Sequence, residues 1–208
     1  MRTKMLGIAL AALVLTASAY ADAMFETGNH PQPNEENILL NGSGIVIGNP
    51  IDGHTNHTHT TVQFSSTTCL PGQGCLSGTG GQSDIDAGPG FGTVLHNVTI
   101  TIPGHSFQDL IINPFKPVNN TDLVVTVITN TGPFIFTYGD THGDNFLTIT
   151  TNGGEVIDSV TIDSTGGFQD LKQPRISGPF AVIPEPSSLL LLGSGVLILL
   201  QGFRRKLL

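Results

Sequence analysis

The sequence predicts an all-β protein: an antiparallel two-sheet β-sandwich, jelly-roll-like, preceded by an N-terminal signal peptide and followed by one C-terminal transmembrane helix. Three observations predict this. Between residues 38 and 183, short runs rich in Val, Ile, Thr and Phe are punctuated by Gly, Pro, Asn and Asp roughly every 8 to 12 residues, the spacing of sandwich strands. Several runs alternate, as in Val98-Thr99-Ile100-Thr101-Ile102, where apolar side chains fall on one face and threonines on the other. No stretch between Asp22 and Pro184 carries the apolar spacing of an amphipathic helix. A single curled sheet is the second arrangement this pattern allows.

Taken in order, residues 1–21 read as a signal peptide. Arg2 and Lys4 form a positive start, the apolar core runs from Met5 to Leu15, and Ala19-Tyr20-Ala21 is a small-x-small cleavage site at Ala19 and Ala21. Residues 22–37, with His30-Pro31-Gln32-Pro33, read as an irregular lead-in. The β domain spans 38–183, with strands expected at 44–47, 58–65, 94–102, 107–112, 123–129, 134–138, 146–151, 156–163 and 171–177. One echo stands out: Phe107-Gln108-Asp109-Leu110 returns as Phe168-Gln169-Asp170-Leu171, each after a β run and a Gly turn. It reads as two similar turns, with the phenylalanines plugging the core and the aspartates bonding backbone amides. A duplicated ligand edge is the other reading.

The tail, residues 184–208, has three parts. Pro184-Glu185-Pro186 cannot join a helix and stays extended. The leucine-rich, uncharged run 187–203 would rise about 25 Å as a helix, enough to cross a bilayer whose flanks adapt. Arg204, Arg205 and Lys206 follow as a basic stop that keeps the C-terminus cytoplasmic and the body on the other side.

This order of parts resembles the PEP-CTERM sorting signal of Gram-negative bacteria, a resemblance confined to the tail. It implies an exported precursor held in the inner membrane, recognition of Pro184, Glu185 and Pro186 by the membrane protease exosortase, and delivery to the cell surface or the exopolysaccharide matrix.

Composition narrows the partners. Of the 16 acids all but Glu185 fall between the two targeting segments, against only Lys116, Lys172 and Arg175, a formal charge of −12. Nucleic acid and anionic lipid both require clustered cations and are excluded as partners of the body. Divalent cations and neutral glycans stay open. Cys69 and Cys75 bracket a turn-rich stretch in an exported chain, so a disulfide is expected there.

Candidate chemistry is sparse. His54, His57 and His59 have spacing that would suit zinc or copper, but no fourth ligand or neighbouring glutamate is legible, so a solvated loop is expected. Asp140 and Asp144, in Asp140-Thr-His142-Gly143-Asp144-Asn145, and the pair Asp84 and Asp86 offer oxygens for a structural calcium, though neither matches an EF-hand. The glycine-rich stretches 78–81 and 88–92 lack the Lys and helix of a phosphate loop and read as flexible. No carboxylate pair for glycoside hydrolysis can be singled out, and with no Trp a sugar-stacking platform is thin. The expectation is a non-catalytic structural or adhesive surface module without cofactor. A carbohydrate-binding module or a secreted polysaccharide hydrolase are the alternatives.

Overall fold

The computed structural model describes residues 23–118, 121–139, 143–178 and 180–181. The signal peptide with Ala19 and Ala21, and the tail with Pro184, Glu185, Pro186, Arg204, Arg205 and Lys206, lie outside the described residues. Among the described residues there is no helix long and apolar enough to cross a membrane.

Fourteen strands make up the described residues: β1 (Ala23–Thr27), β2 (Glu36–Gly48), β3 (Ile51–Thr55), β4 (Thr61–Ser65), β5 (Leu76–Gln82), β6 (Asp84–Ala87), β7 (Leu95–Thr101), β8 (His105–Ser106), β9 (Asp109–Pro117), β10 (Leu123–Thr129), β11 (Gly132–Tyr138), β12 (Leu147–Thr151), β13 (Ile157–Ser177) and β14 (Phe180–Ala181). The all-β class stands. The arrangement differs from two stacked sheets: twelve strands form one continuous antiparallel sheet, and seven of them (β13, β6, β5, β2, β3, β4, β7) close into a barrel. Closure is made by β13, which pairs with β7 through Ser159–Asp163 and with β6 through Asp170–Lys172.

The reason lies in β13 itself. The expected strands 156–163 and 171–177 are one strand of 21 residues, bent in the middle. At the bend the register shifts between Asp163 and Phe168, and Gly166 and Gly167 lie in the gap. Gly167 has φ +84°, and a Cβ on Gly166 would fall 2.4 Å from the Val118 carbonyl, so side chains are barred where β13 turns. A second shift, between Lys172 and Arg175, accommodates Pro174, which has no N–H to give a ladder.

β13 therefore has two edges. One serves the barrel. The other carries β10 and β11 on the first half of the strand, and β9, β12 and β1 on the second. The lead-in is accordingly not irregular throughout, since β1 lies within it and pairs with β12 from Ala23↔Thr151 to Thr27↔Leu147. Its strand escaped the sequence pattern because Ala-Met-Phe-Glu-Thr does not alternate and its partners lie 120 to 128 residues away.

One core runs through the whole fold. Phe64, Phe107 and Phe168 are its largest fully buried side chains, packed with Ile38, Leu76, Ile100, Leu110, Ile162 and Leu171. Burying each phenylalanine contributes roughly 2 to 3 kcal/mol. The glycine-rich stretch 78–81, expected to be flexible, is instead part of β5: a Cβ on Gly78 would come within 2.3 Å of Leu40 Cδ1, so glycine lets a core leucine close against the strand.

Candidate functional site

Cys69 and Cys75 form the expected disulfide. Its loop is tied to the barrel by Asn49, whose Nδ2 donates to the Ser66 carbonyl at 2.8 Å and whose own carbonyl accepts from the Gly72 amide at 2.8 Å. Gly88 passes so close that a Cβ would lie 1.8 Å from the Gly74 carbonyl oxygen, and its amide donates to the Cys75 carbonyl. Leu70 at the loop tip is 71% exposed.

The three histidines do not converge as ligands. His54 and His59 rings stack at 5.8 Å, while His57 is exposed. What organises this loop is Glu36, a residue the sequence did not single out: its Oε2 accepts from the His57 and Thr58 amides at 2.9 and 2.8 Å. Burial pushes the Glu36 carboxyl up, but the Thr58 and His57 amides and the Thr58 and Thr55 hydroxyls outweigh it and hold it below the usual range. The signal was a Glu-Glu pair at the start of a strand, which cannot reveal a partner more than 20 residues on.

Asp144 Oδ1 accepts from Asn113 Nδ2 at 2.8 Å, fastening its turn to β9. Asp140 and His142 lie outside the described residues.

The cluster that does form joins two separate sequence observations. Asp84 and Asp86, alternating on β6, share a face with Asp170 of the second Phe-Gln-Asp-Leu copy, because the ladder sets Asp86 opposite Asp170 and Asp84 opposite Lys172. Among the described residues these three carboxylates are the group of three ligand-type side chains with oxygens all within 4.8 Å. Lys172 supplies the countercharge, its Nζ lying 3.1 Å from Asp170 Oδ2 and 4.0 Å from Asp84 Oδ2. Its ammonium also sits 3.9 Å over the Phe115 ring.

Three acids and one lysine leave an excess of negative charge. Burial first, then the hydrogen bond with Asp170 and the fields of Asp170 and Asp84, push the Asp86 carboxyl up from 3.8 to about 7, with Lys172 opposing. Burial and Asp170 also raise Asp84, again against Lys172. Near neutrality the Asp86 carboxyl is therefore only partly ionised, and Lys172 balances part of the charge that remains. Chemically the cluster is a partly neutralised ionic node that fastens β6 to β13 where the barrel closes.

In the first Phe-Gln-Asp-Leu copy the aspartate is handled differently. Phe107, like Phe168, is fully buried, as expected of a core plug. Asp109 takes the Ser177 hydroxyl, and burial carries its carboxyl up to about 6 with Glu35 adding to the rise and Ser177 opposing it. The echo is thus alike in its phenylalanine and divergent in its acid.

A cleft of about 290 Å³ lies elsewhere, lined by Thr27, Gly28, Asn29, Tyr138, Asp144, Asn145 and Phe146. It sits where β1 and β11 end beside each other, with Tyr138 and Phe146 as its aromatic walls.

These features define a class first: an acidic all-β barrel protein, its body cross-linked by a disulfide. The tail then specifies it further. The model of the PEP-CTERM protein-sorting motif matches residues 182–206, so this is a PEP-CTERM domain-containing protein, exported and directed to exosortase. No curated protein and no solved structure matches the chain.

Proposed function

We propose that the protein is a non-catalytic structural or adhesive module delivered to the cell surface or the exopolysaccharide matrix, anchored in the inner membrane by 187–203 until exosortase acts at Pro184-Glu185-Pro186. The observation that carries this reading is the sorting motif at 182–206, which follows directly on β14, the last strand of the body. The character of the body supports it: the convergent acids are engaged with Lys172, Asp170 and Ser177, and the closed, disulfide-linked barrel suits exposure outside the cell. Mass spectrometry of the protein isolated from its own cells tests the reading. The expected species begins at Asp22 and ends within the tail. Recovery from cytosol with Met1 and Leu208 both intact overturns it.

A second reading, a carbohydrate-binding module of the matrix, rests on the 290 Å³ cleft, where Tyr138 and Phe146 flank the polar side chains of Thr27, Asn29 and Asn145. Retention of the mature protein on a neutral polysaccharide column, lost in Tyr138→Ala, would favour it.

A further inference from the structure

Both ends of the described body leave from one pole. Ala23, the first residue of β1, pairs with Thr151; Thr150 pairs with Asp109; and Asp109 pairs with Ser177, the last residue of β13. The row is stitched at Gln108, whose carbonyl accepts from the Thr151 amide at 3.0 Å and whose amide donates to the Ser177 carbonyl at 3.1 Å. Three strand spacings separate the ends, about 14 Å. Beyond Ser177 the chain stays at this pole, since Phe180 and Ala181 pair with Ser106 and His105.

The opposite pole is equally well defined. β9 runs from Asp109 beside Ser177 to Pro117 beside Phe168, nine residues or about 30 Å. At that far end lie the bend of β13, Leu95, and the disulfide loop, which reaches Asn97 through the Thr67 amide.

We propose that in the precursor the pole bearing Ala23, Gln108, Thr151, Ser177 and the β8–β14 pair lies against the lipid surface, with the Cys69–Cys75 loop pointing away from it. The proposal rests on the reading that 5–15 and 187–203 are both membrane segments. Only seven residues separate Leu15 from Ala23 and five separate Ala181 from Ser187. Fully extended at about 3.5 Å per residue, these tethers reach roughly 20 to 30 Å. Two tethers that short, leaving one pole about 14 Å apart, do not let the far pole turn to the bilayer. Position is imposed by the tethers and not by charge: the cations of the described body are Lys116, Lys172 and Arg175, the last two engaged with Asp170 and Glu35.

The test uses the full-length precursor in phosphatidylcholine vesicles containing a headgroup-quencher lipid. Asn152→Cys places a fluorophore beside Thr151, and Thr93→Cys places one at the opposite pole; both sites are exposed, and the native cysteines are consumed by their disulfide. Quenching at 152 at least threefold above that at 93 is expected. Equal quenching, or stronger quenching at 93, overturns the orientation while leaving membrane insertion intact. A precursor that fails to enter the vesicles overturns the membrane reading as well, and the two failures are told apart by flotation. The processed protein is expected not to float with anionic vesicles at any salt concentration, and flotation that salt abolishes would show adsorption by charge and overturn the tether account.

Discussion

The two edges of β13 teach different lessons in how a sheet ends. On one edge β7, β4, β3, β2, β5 and β6 return to β13, and no strand of that ring is left with an unpaired side. On the other, the sheet stops at β11 and at β1, two edge strands that face each other without ladder hydrogen bonds. There Phe25 of β1 stacks on Phe136 of β11, and Phe134 and Tyr138 pack half-buried beside them. Hydrogen bonds close the first flank and side chains close the second. The open flank is defended as edges usually are: β11 carries Pro133 and β1 is five residues long with Glu26 exposed. Ile135 on β11, 67% exposed, and Met24 on β1, 46% exposed, are the apolar exceptions.

If both flanks share one core, removing a residue at their junction brings both down together. Phe168, paired to Leu95 on one side and Pro117 on the other, is that residue. Phe168→Ala is expected to cost about 3 to 5 kcal/mol, with a single unfolding transition by circular dichroism and by a probe on either flank. Two separated transitions would break the comparison by showing that the flanks fold apart.

Opening the Cys69–Cys75 loop touches the closed flank alone. Chain entropy for so short a loop gives roughly 2 kcal/mol. Cys69→Ser/Cys75→Ser should lower the denaturation midpoint accordingly, with faster amide exchange near residues 66–76 and unchanged exchange in β1 and β11.

Phe136→Ala is the matching cut on the open flank. Losing a half-buried stacked ring should cost about 1 to 2 kcal/mol. Hydrogen exchange is the sharper readout: protection should fall in β1 and β11 and hold in β4 and β7. Equal loss across all four strands would mean that the seam is not independently closed.

The smallest effect is electrostatic and is divided between the closing seam, at Asp86, and the other edge of β13, at Asp109. Asp86, raised from 3.8 to about 7, and Asp109, raised to about 6, hold protons in the folded state that the unfolded chain releases. Their contribution to stability is therefore full below about pH 4 and is lost as pH climbs through 6 to 7. Glu36 has the opposite sign, since its lowered carboxyl loses its contribution as pH falls below the usual range. Maximum stability is expected in mildly acid solution. Asp86→Asn keeps a hydrogen-bond donor for Asp170 without the charge, so it should flatten the fall between pH 5 and 8 and leave the variant more stable than the native protein at pH 8. A wild-type midpoint that rises over that interval would contradict the assignment.

Much of this fold was legible along the chain, and what was missed was missed for a common reason. The alternating runs at 98–102 and 123–129 became strands because period-two apolarity has one good solution in a half-buried sheet. β1, β5 and β6 carried no such pattern: glycines hollow out β5, β6 has four residues, and β1 earns its place by pairing with β12. The ionic node was half visible. Asp84 and Asp86 were recognisable as alternating oxygens and Asp170 as part of an echo, but nothing local says that β6 pairs with β13 at that register, or that Lys172 comes with it. Glu36 under the histidine loop was hidden for the same cause.

By itself the sequence determined the destination and the class. An address written in prolines, a leucine run and three terminal cations acts as a linear segment, and strand alternation is a property of neighbours two apart. The tertiary structure alone decided that β13 bends and pairs on both edges, so that the sheet closes into a barrel, that three distant acids and a lysine share one face, and that both ends of the body leave from one pole. Each depends on pairing between residues far apart in the chain, where the energy comes from hydrogen bonds and burial that no local window contains.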